Sequence, residues 1–186
     1  MIRPATPSDA TVVVPLIIRA MDKLAQKLTN VEDENIINQI FSYFFIQQGN
    51  QYSYENTLVY EEEGKVLGSL NAYDGGKLPE LRKPFLHYVA AHYHANDVNQ
   101  GTETENGEFY LDSISVNPEA QRKGIGKQLI KAGIDWAKQL GHHNVGLLVE
   151  QNNPNALRLY EKMDFVIQNE KQFMGGLYHH MVFKIK

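Results

Sequence analysis

Gly124 and Gly126 stand one residue apart, with Ile125 between them and Arg122, Lys123 and Lys127 around them, in the stretch NPEAQRKGIGKQLI (117–130). This stretch runs straight into an amphipathic segment. Glycines let an anion approach the main chain, and the first turn of a helix offers unpaired N–H groups backed by the helix dipole. Phosphate oxygens are the natural occupant, with the three cations adding charge. A strand-to-helix turn can also need glycine for its backbone alone, so spacing must discriminate. A Walker A loop needs a glycine five residues before Gly126 and a Ser or Thr after Lys127, where Gln121 and Gln128 stand. The dinucleotide fingerprint needs a third glycine at the position of Leu129.

Other reactive residue types are less ordered. The sequence has no cysteine, which excludes disulfides, thiolate nucleophiles and Cys-ligated metals. Seven histidines, among them His87, His92 and His94 and the pairs His142-His143 and His179-His180, raise a metal reading. Neighbours on a strand point to opposite faces and an i,i+5 pair on a helix diverges, so no ligand set converges and no metal is expected. Alternation along EFYLDSISV (108–116) places Glu108, Tyr110, Asp112 and Ile114 on one strand face, which makes Glu108 and Asp112 candidate bases or merely solvated carboxylates. Tyr43, Phe44, Tyr73, Phe85, Tyr88 and Tyr93 precede the glycine loop and are read mainly as core.

These residues require a scaffold. Ser8 and Asp9 can cap a helix carrying Val13, Leu16, Ile17 and Met21, with a kink or late start at Pro15. A second amphipathic helix runs from Glu32 to Gln48, and two short strands (57–61 and 65–73) flank a turn. Residues 74–106 are irregular, with a short helix near 84–94 and a polar exposed loop behind it. A strand over 108–116, a helix over 126–140 ended by Gly141, a strand over 144–150, a helix over 153–162 and strands near 165–173 and 177–185 complete the chain. The order implies an α/β fold: one mixed sheet, helices on both faces, and a single domain over 1–186.

Composition narrows the function classes. Of the 186 residues 42% are hydrophobic and 22% charged, with a formal net charge of −4, so there is no general attraction for nucleic acid or anionic membrane. No apolar run approaches the roughly 20 residues of a membrane helix. The opening MIRPATPSDA lacks the order of a signal peptide, and a cytoplasmic location is expected.

Gln121-x-x-Gly124-x-Gly126 after a strand ending Val-Asn-Pro resembles the core motif of the GNAT superfamily of N-acetyltransferases. IRPATPSDA is similar to the family's usual opening, and NPNALRLYEKMDF to its later helix motif, with Asp164 where glycine is usual. The resemblance implies a mixed, largely antiparallel sheet with a splayed strand pair, acetyl-CoA as co-substrate, and direct acetyl transfer to the amine of a small molecule or peptide. It also implies that Gln121 to Lys127 hold the pyrophosphate, that the main chain of Ile114, Ser115 and Val116 bonds the pantetheine arm, and that Asn153 bonds the same arm, caps its helix, or does both. Tyr160 either fills core or protonates the departing thiolate. Asp112 or Glu108 takes the amine proton directly or through water. At Asp164 a left-handed backbone or local turn strain is expected rather than lost activity. A homodimer is possible. Transfer of another acyl group, or a non-catalytic CoA-binding sensor module, stays open.

Overall fold

The computed structural model describes residues 1–96 and 101–186. Seven strands form one sheet in the order β1 (Ile2–Pro4), β2 (Thr57–Glu62), β3 (Lys65–Asp74), β4 (Glu108–Val116), β5 (Asn144–Glu150), β7 (Gly176–Lys184) and β6 (Val166–Phe173). Every neighbouring pair is antiparallel except β4–β5. Four helices, α1 (Ala10–Met21), α2 (Lys23–Thr29), α3 (Glu34–Phe45) and α4 (Leu78–Tyr93), build one apolar core around Phe41, Phe45, Tyr52 and Phe85. α5 (Ile125–Gln139) and α6 (Pro154–Glu161) pack on a second core that includes Leu70, Leu111 and Leu129.

Local chemistry accounts for most element ends. The Asp33 carboxylate accepts from the N–H groups of Asn35 (2.8 Å) and Ile36 (3.4 Å) and so starts α3. Pro15 lies inside α1 without ending it, because the bond it forfeits is the early one to Thr11. The helix expected near 84–94 begins at Leu78, with Pro79 in its first turn and Pro84 inside it. Leu78, Arg82, Phe85 and Val89 recur on one buried stripe, and that burial outweighs the bond Pro84 removes. β1 was not apparent in the sequence: three residues are too few to display a period.

Two irregularities shape the middle of the sheet. The parallel ladder between β4 and β5 holds only at Glu108↔Asn144, Phe109↔Val145 and Tyr110↔Gly146, after which the strands part. Across the other edge of β4, Asn71 opposes Ser113 and Ala72 opposes Leu111, so Asp112 is the extra residue of a bulge. The bulge shifts the alternation by one, and Ile114 lies with Leu70 in the α5 core rather than on the face of Tyr110. Among the described residues no helix is long and apolar enough to cross a membrane.

Candidate functional site

The glycine loop joins the free end of β4 to α5. The Asn117 main-chain amide bonds the Leu67 carbonyl (2.8 Å), its side chain accepts from the Glu119 N–H (3.1 Å), and the Gln121 side-chain Nε2 donates to the Val116 carbonyl (3.4 Å). Gly124 is the N-cap of α5, with φ of +79° and no side chain to cap the helix, so the amides of its first turn point outward. Arg122 is also left-handed, at +65°. Gly126 is different: its φ is ordinary, and a Cβ there would meet only Val116 Cγ2 at 3.9 Å. Neither backbone nor packing within the chain requires glycine there, although glycine in a helix costs about 0.5–1 kcal/mol. The space over Gly126 fits an anion held against the main chain, and Arg122, Lys123 and Lys127 are exposed around it. Ile125 is 2% exposed and locked in the α5 core, so only its backbone can serve this site.

Where β4 and β5 diverge, a cavity of about 410 Å³ opens, lined by residues of α1, α2, β4, β5 and α6 among others. Asp112, Ile114, Asn153 and Tyr160 all line it. Asn153 caps α6, its side-chain oxygen accepting from the Ala156 N–H at 3.1 Å, which leaves its amide hydrogens available. The Tyr160 ring packs edge-on against Phe165 at 5.9 Å, and no described residue bonds its hydroxyl. Burial pushes its pKa up to about 12, so it stays a neutral donor near pH 7.

Asp112 is half-buried at the cavity wall, and burial pushes its pKa above the usual carboxylate range. The Arg82 charge and hydrogen bonds from Gln51 and Tyr73 pull the other way. Gln51 Nε2 donates to Asp112 Oδ2 at 3.1 Å and to the Tyr73 hydroxyl at 3.0 Å, while Arg82 Nε donates to Gln51 Oε1 at 2.8 Å. Arg82 also pairs with Glu103. Sequence reasoning missed Gln51, Arg82 and Glu103, because no spacing signal links residues 21 to 61 positions apart. The polar tract expected to be an exposed loop buries Glu103 and Thr104, while its residues 97–100 lie outside the described residues.

Glu108 does not line the cavity. Its carboxylate takes a bond from the Glu105 N–H (2.8 Å), lies 2.9 Å from His180 Nε2, and occupies the space over Gly146 that a Cβ would need. Glu108 and His180 are both buried.

Comparison with known proteins supplies the context. Residues 25–165 match the model of the Acetyltransferase (GNAT) family. A mycothiol acetyltransferase from Paenarthrobacter aurescens is 40% identical over 78 residues, 42% of this chain and 24% of that protein. The spermine/spermidine N(1)-acetyltransferase of Bacillus subtilis is 32% identical over 74 residues, 39% of this chain and 49% of the relative. The chain thus spans about a quarter to a half of the length of these curated relatives. A crystal structure described as an acetyltransferase superimposes with a TM-score of 0.81 at 28% identity, covering all of both chains. An N-acetyltransferase from Staphylococcus aureus Mu50 shares the fold with a TM-score of 0.87 at 22% identity, over 98% of this chain and all of the other.

Proposed function

Because the chain belongs to the Acetyltransferase (GNAT) family, we propose that it moves the acetyl group of acetyl-CoA onto a primary amine by direct attack. One observation carries this reading. The parting of β4 from β5 opens a single cavity faced by Asp112, Tyr160 and Asn153, and the uncapped glycine loop lies at the end of the same strand.

On this reading the amides at Gly124 to Lys127 take the pyrophosphate, with Gln121, Arg122, Lys123 and Lys127 around it. The main chain of Ile114, Ser115 and Val116, released from β5, takes the pantetheine arm, and the Asn153 amide adds a further bond. An alkylamine is mostly protonated near neutral pH, its pKa being about 10. Asp112 takes that proton directly or through water, and its raised pKa makes it the stronger base. The freed nitrogen attacks the thioester carbon, the C–S bond breaks, Tyr160 gives its proton to the departing thiolate, and the second proton of the new amide nitrogen restores Tyr160. Glu108 takes no part in proton transfer; with His180 it fixes β4 against β5 and β7.

Asp22 and Glu150 line the cavity with Asp112, which suits a cationic acceptor, and the similarity to a spermine/spermidine acetyltransferase supports the same class. We place the reaction in the cytoplasm, with acetyl-CoA and the amine as partners. The test is thiol release from acetyl-CoA over polyamines, lysine and peptide N-termini, with CoA binding measured by calorimetry. Turnover on cationic amines is expected, and Tyr160→Phe should lower kcat about a hundredfold with CoA affinity unchanged. CoA binding without turnover on any amine sinks the transfer reading, and absence of binding sinks the loop assignment as well.

A further inference from the structure

Gln51 is 1% exposed and lies outside every motif of the sequence, yet its side chain joins two charged groups of the cavity lining, Arg82 and Asp112. Its backbone is anchored, the amide donating to the Leu81 carbonyl at 2.9 Å and the carbonyl accepting from Asn71 Nδ2 at 3.2 Å. Its side-chain orientation is forced by chemistry. A guanidinium has only donors, so the atom 2.8 Å from Arg82 Nε must be the amide oxygen. The two amide hydrogens are then left for Asp112 Oδ2 (3.1 Å) and the Tyr73 hydroxyl (3.0 Å). With its oxygen accepting from Gln51, Tyr73 has its own hydrogen to give to Asp112.

We propose that Gln51 is a positioning residue of the acyl-transfer site: clamped by Arg82, it keeps the Asp112 carboxylate ionised and fixed at the cavity wall. This inference rests on the transfer reading. The other groups around Asp112 do not substitute for Gln51. Tyr73 of β3, Tyr110 of β4 and Tyr52 are phenols whose pKa burial drives upward, so they stay neutral. The Arg82 charge of α4 also favours the ionised carboxylate, but part of it is answered by Glu103, while its Nε is given to Gln51. The cavity's remaining charges, Arg19, Asp22 and Glu150, and its phenols Tyr160 and Tyr178 make no direct bond to Asp112 among the described residues. Loss of the Gln51 donor therefore leaves burial less opposed, and Asp112 should hold its proton to higher pH.

A purely structural glutamine and a positioning one differ in the pH profile. The experiment measures kcat/KM against pH for the amine that the wild-type protein turns over fastest, beside Gln51→Leu and Gln51→Glu, with CoA affinity and melting temperature for each. The acid limb should rise by about one pH unit in Gln51→Leu, the size of a lost hydrogen bond to a charged group. It should rise further in Gln51→Glu, which keeps the size and the Arg82 partner but sets a negative charge beside Asp112. CoA affinity should not change. An unmoved acid limb in a folded variant that binds CoA normally overturns the proposal, as does failure of both variants to fold, which would make the role structural. If the wild-type protein turns over no amine, the transfer reading has failed; if it does and the limb stays put, only this proposal has.

Discussion

The two halves of the proposed site are built from different materials. On the side we propose for the cofactor the available groups are main-chain amides: the first turn of α5, the freed edge of β4, and two left-handed residues that shape the loop. On the acceptor side they are side chains brought from α4, the segment before β2, β3 and β4 into one hydrogen-bonded set around Asp112. A backbone site is specified by neighbours in sequence, so it tolerates changes of side chain that leave φ and access alone. A side-chain network fails when one member is lost, because each buried polar group needs the others. Substitutions on the acceptor side should therefore alter catalysis and pH dependence, and those on the cofactor side should alter CoA affinity.

Asp112→Asn should have the largest effect, a loss of about 10²–10³ in kcat/KM with CoA affinity unchanged, read by steady-state kinetics and calorimetry. It should also separate activity from stability. The folded pKa of Asp112 is raised, so the folded state binds its proton more tightly than the unfolded chain. Its contribution to stability is greatest below the ordinary value of 3.8 and declines as pH rises through the raised value. Asparagine removes that decline, and the variant should melt at or above the wild-type temperature at pH 7 while retaining little activity. An inactive variant that also melts far lower would put Asp112 in the framework instead.

Gly126→Val tests the other side. Apart from the neighbouring residues and its own helix backbone, no described residue stands closer than 3.9 Å to the new Cβ, so the fold should persist. The branched side chain occupies the space assigned to phosphate, and Kd for CoA should rise about tenfold, equivalent to 1.4 kcal/mol. The acid limb set by Asp112 should not move. Unaltered affinity in a folded variant would mean that the glycine serves something other than an anion.

The same division explains what the sequence disclosed. β4 and β5 match their expected bounds to the residue, and α5 to within one residue, because each lies in one continuous run of the sequence. The loop is legible for the same reason: Gly124, Gly126 and the cations are adjacent. Tyr160, Asn153 and Asp112 do reach one cavity. The bulge at Asp112 was invisible, since it depends on how β3 pairs with β4, and it is what turns Ile114 to the other face. Glu108 looked equivalent to Asp112 by parity; only the bare Gly146 on β5 and His180 on β7 reveal that its carboxylate is already engaged. Arg82 and Gln51 were unreadable because their chemistry exists only after α4 has packed.

Asp164 offers the smallest test: whether a backbone conformation, rather than a side chain, holds Tyr160 in place. It follows α6, and its φ is +64°, the left-handed conformation expected at a position where relatives usually have glycine. For an L-residue that conformation is strained by roughly 1–2 kcal/mol, less for Asp, whose short polar side chain tolerates it. Glycine removes the strain but loses more chain entropy on folding, by about 0.5–1 kcal/mol. The two nearly cancel, so Asp164→Gly should change stability by no more than about 0.5 kcal/mol and leave both CoA affinity and kcat/KM unchanged. Asp164→Val sharpens the comparison: a β-branched side chain cannot adopt this φ without strain, the end of α6 should shift, and Tyr160, four residues earlier, should lose its place at the cavity. Thermal melting and kcat on the pair separate the alternatives. If glycine impaired turnover as much as valine does, the carboxylate of Asp164 rather than its backbone would be what the site needs.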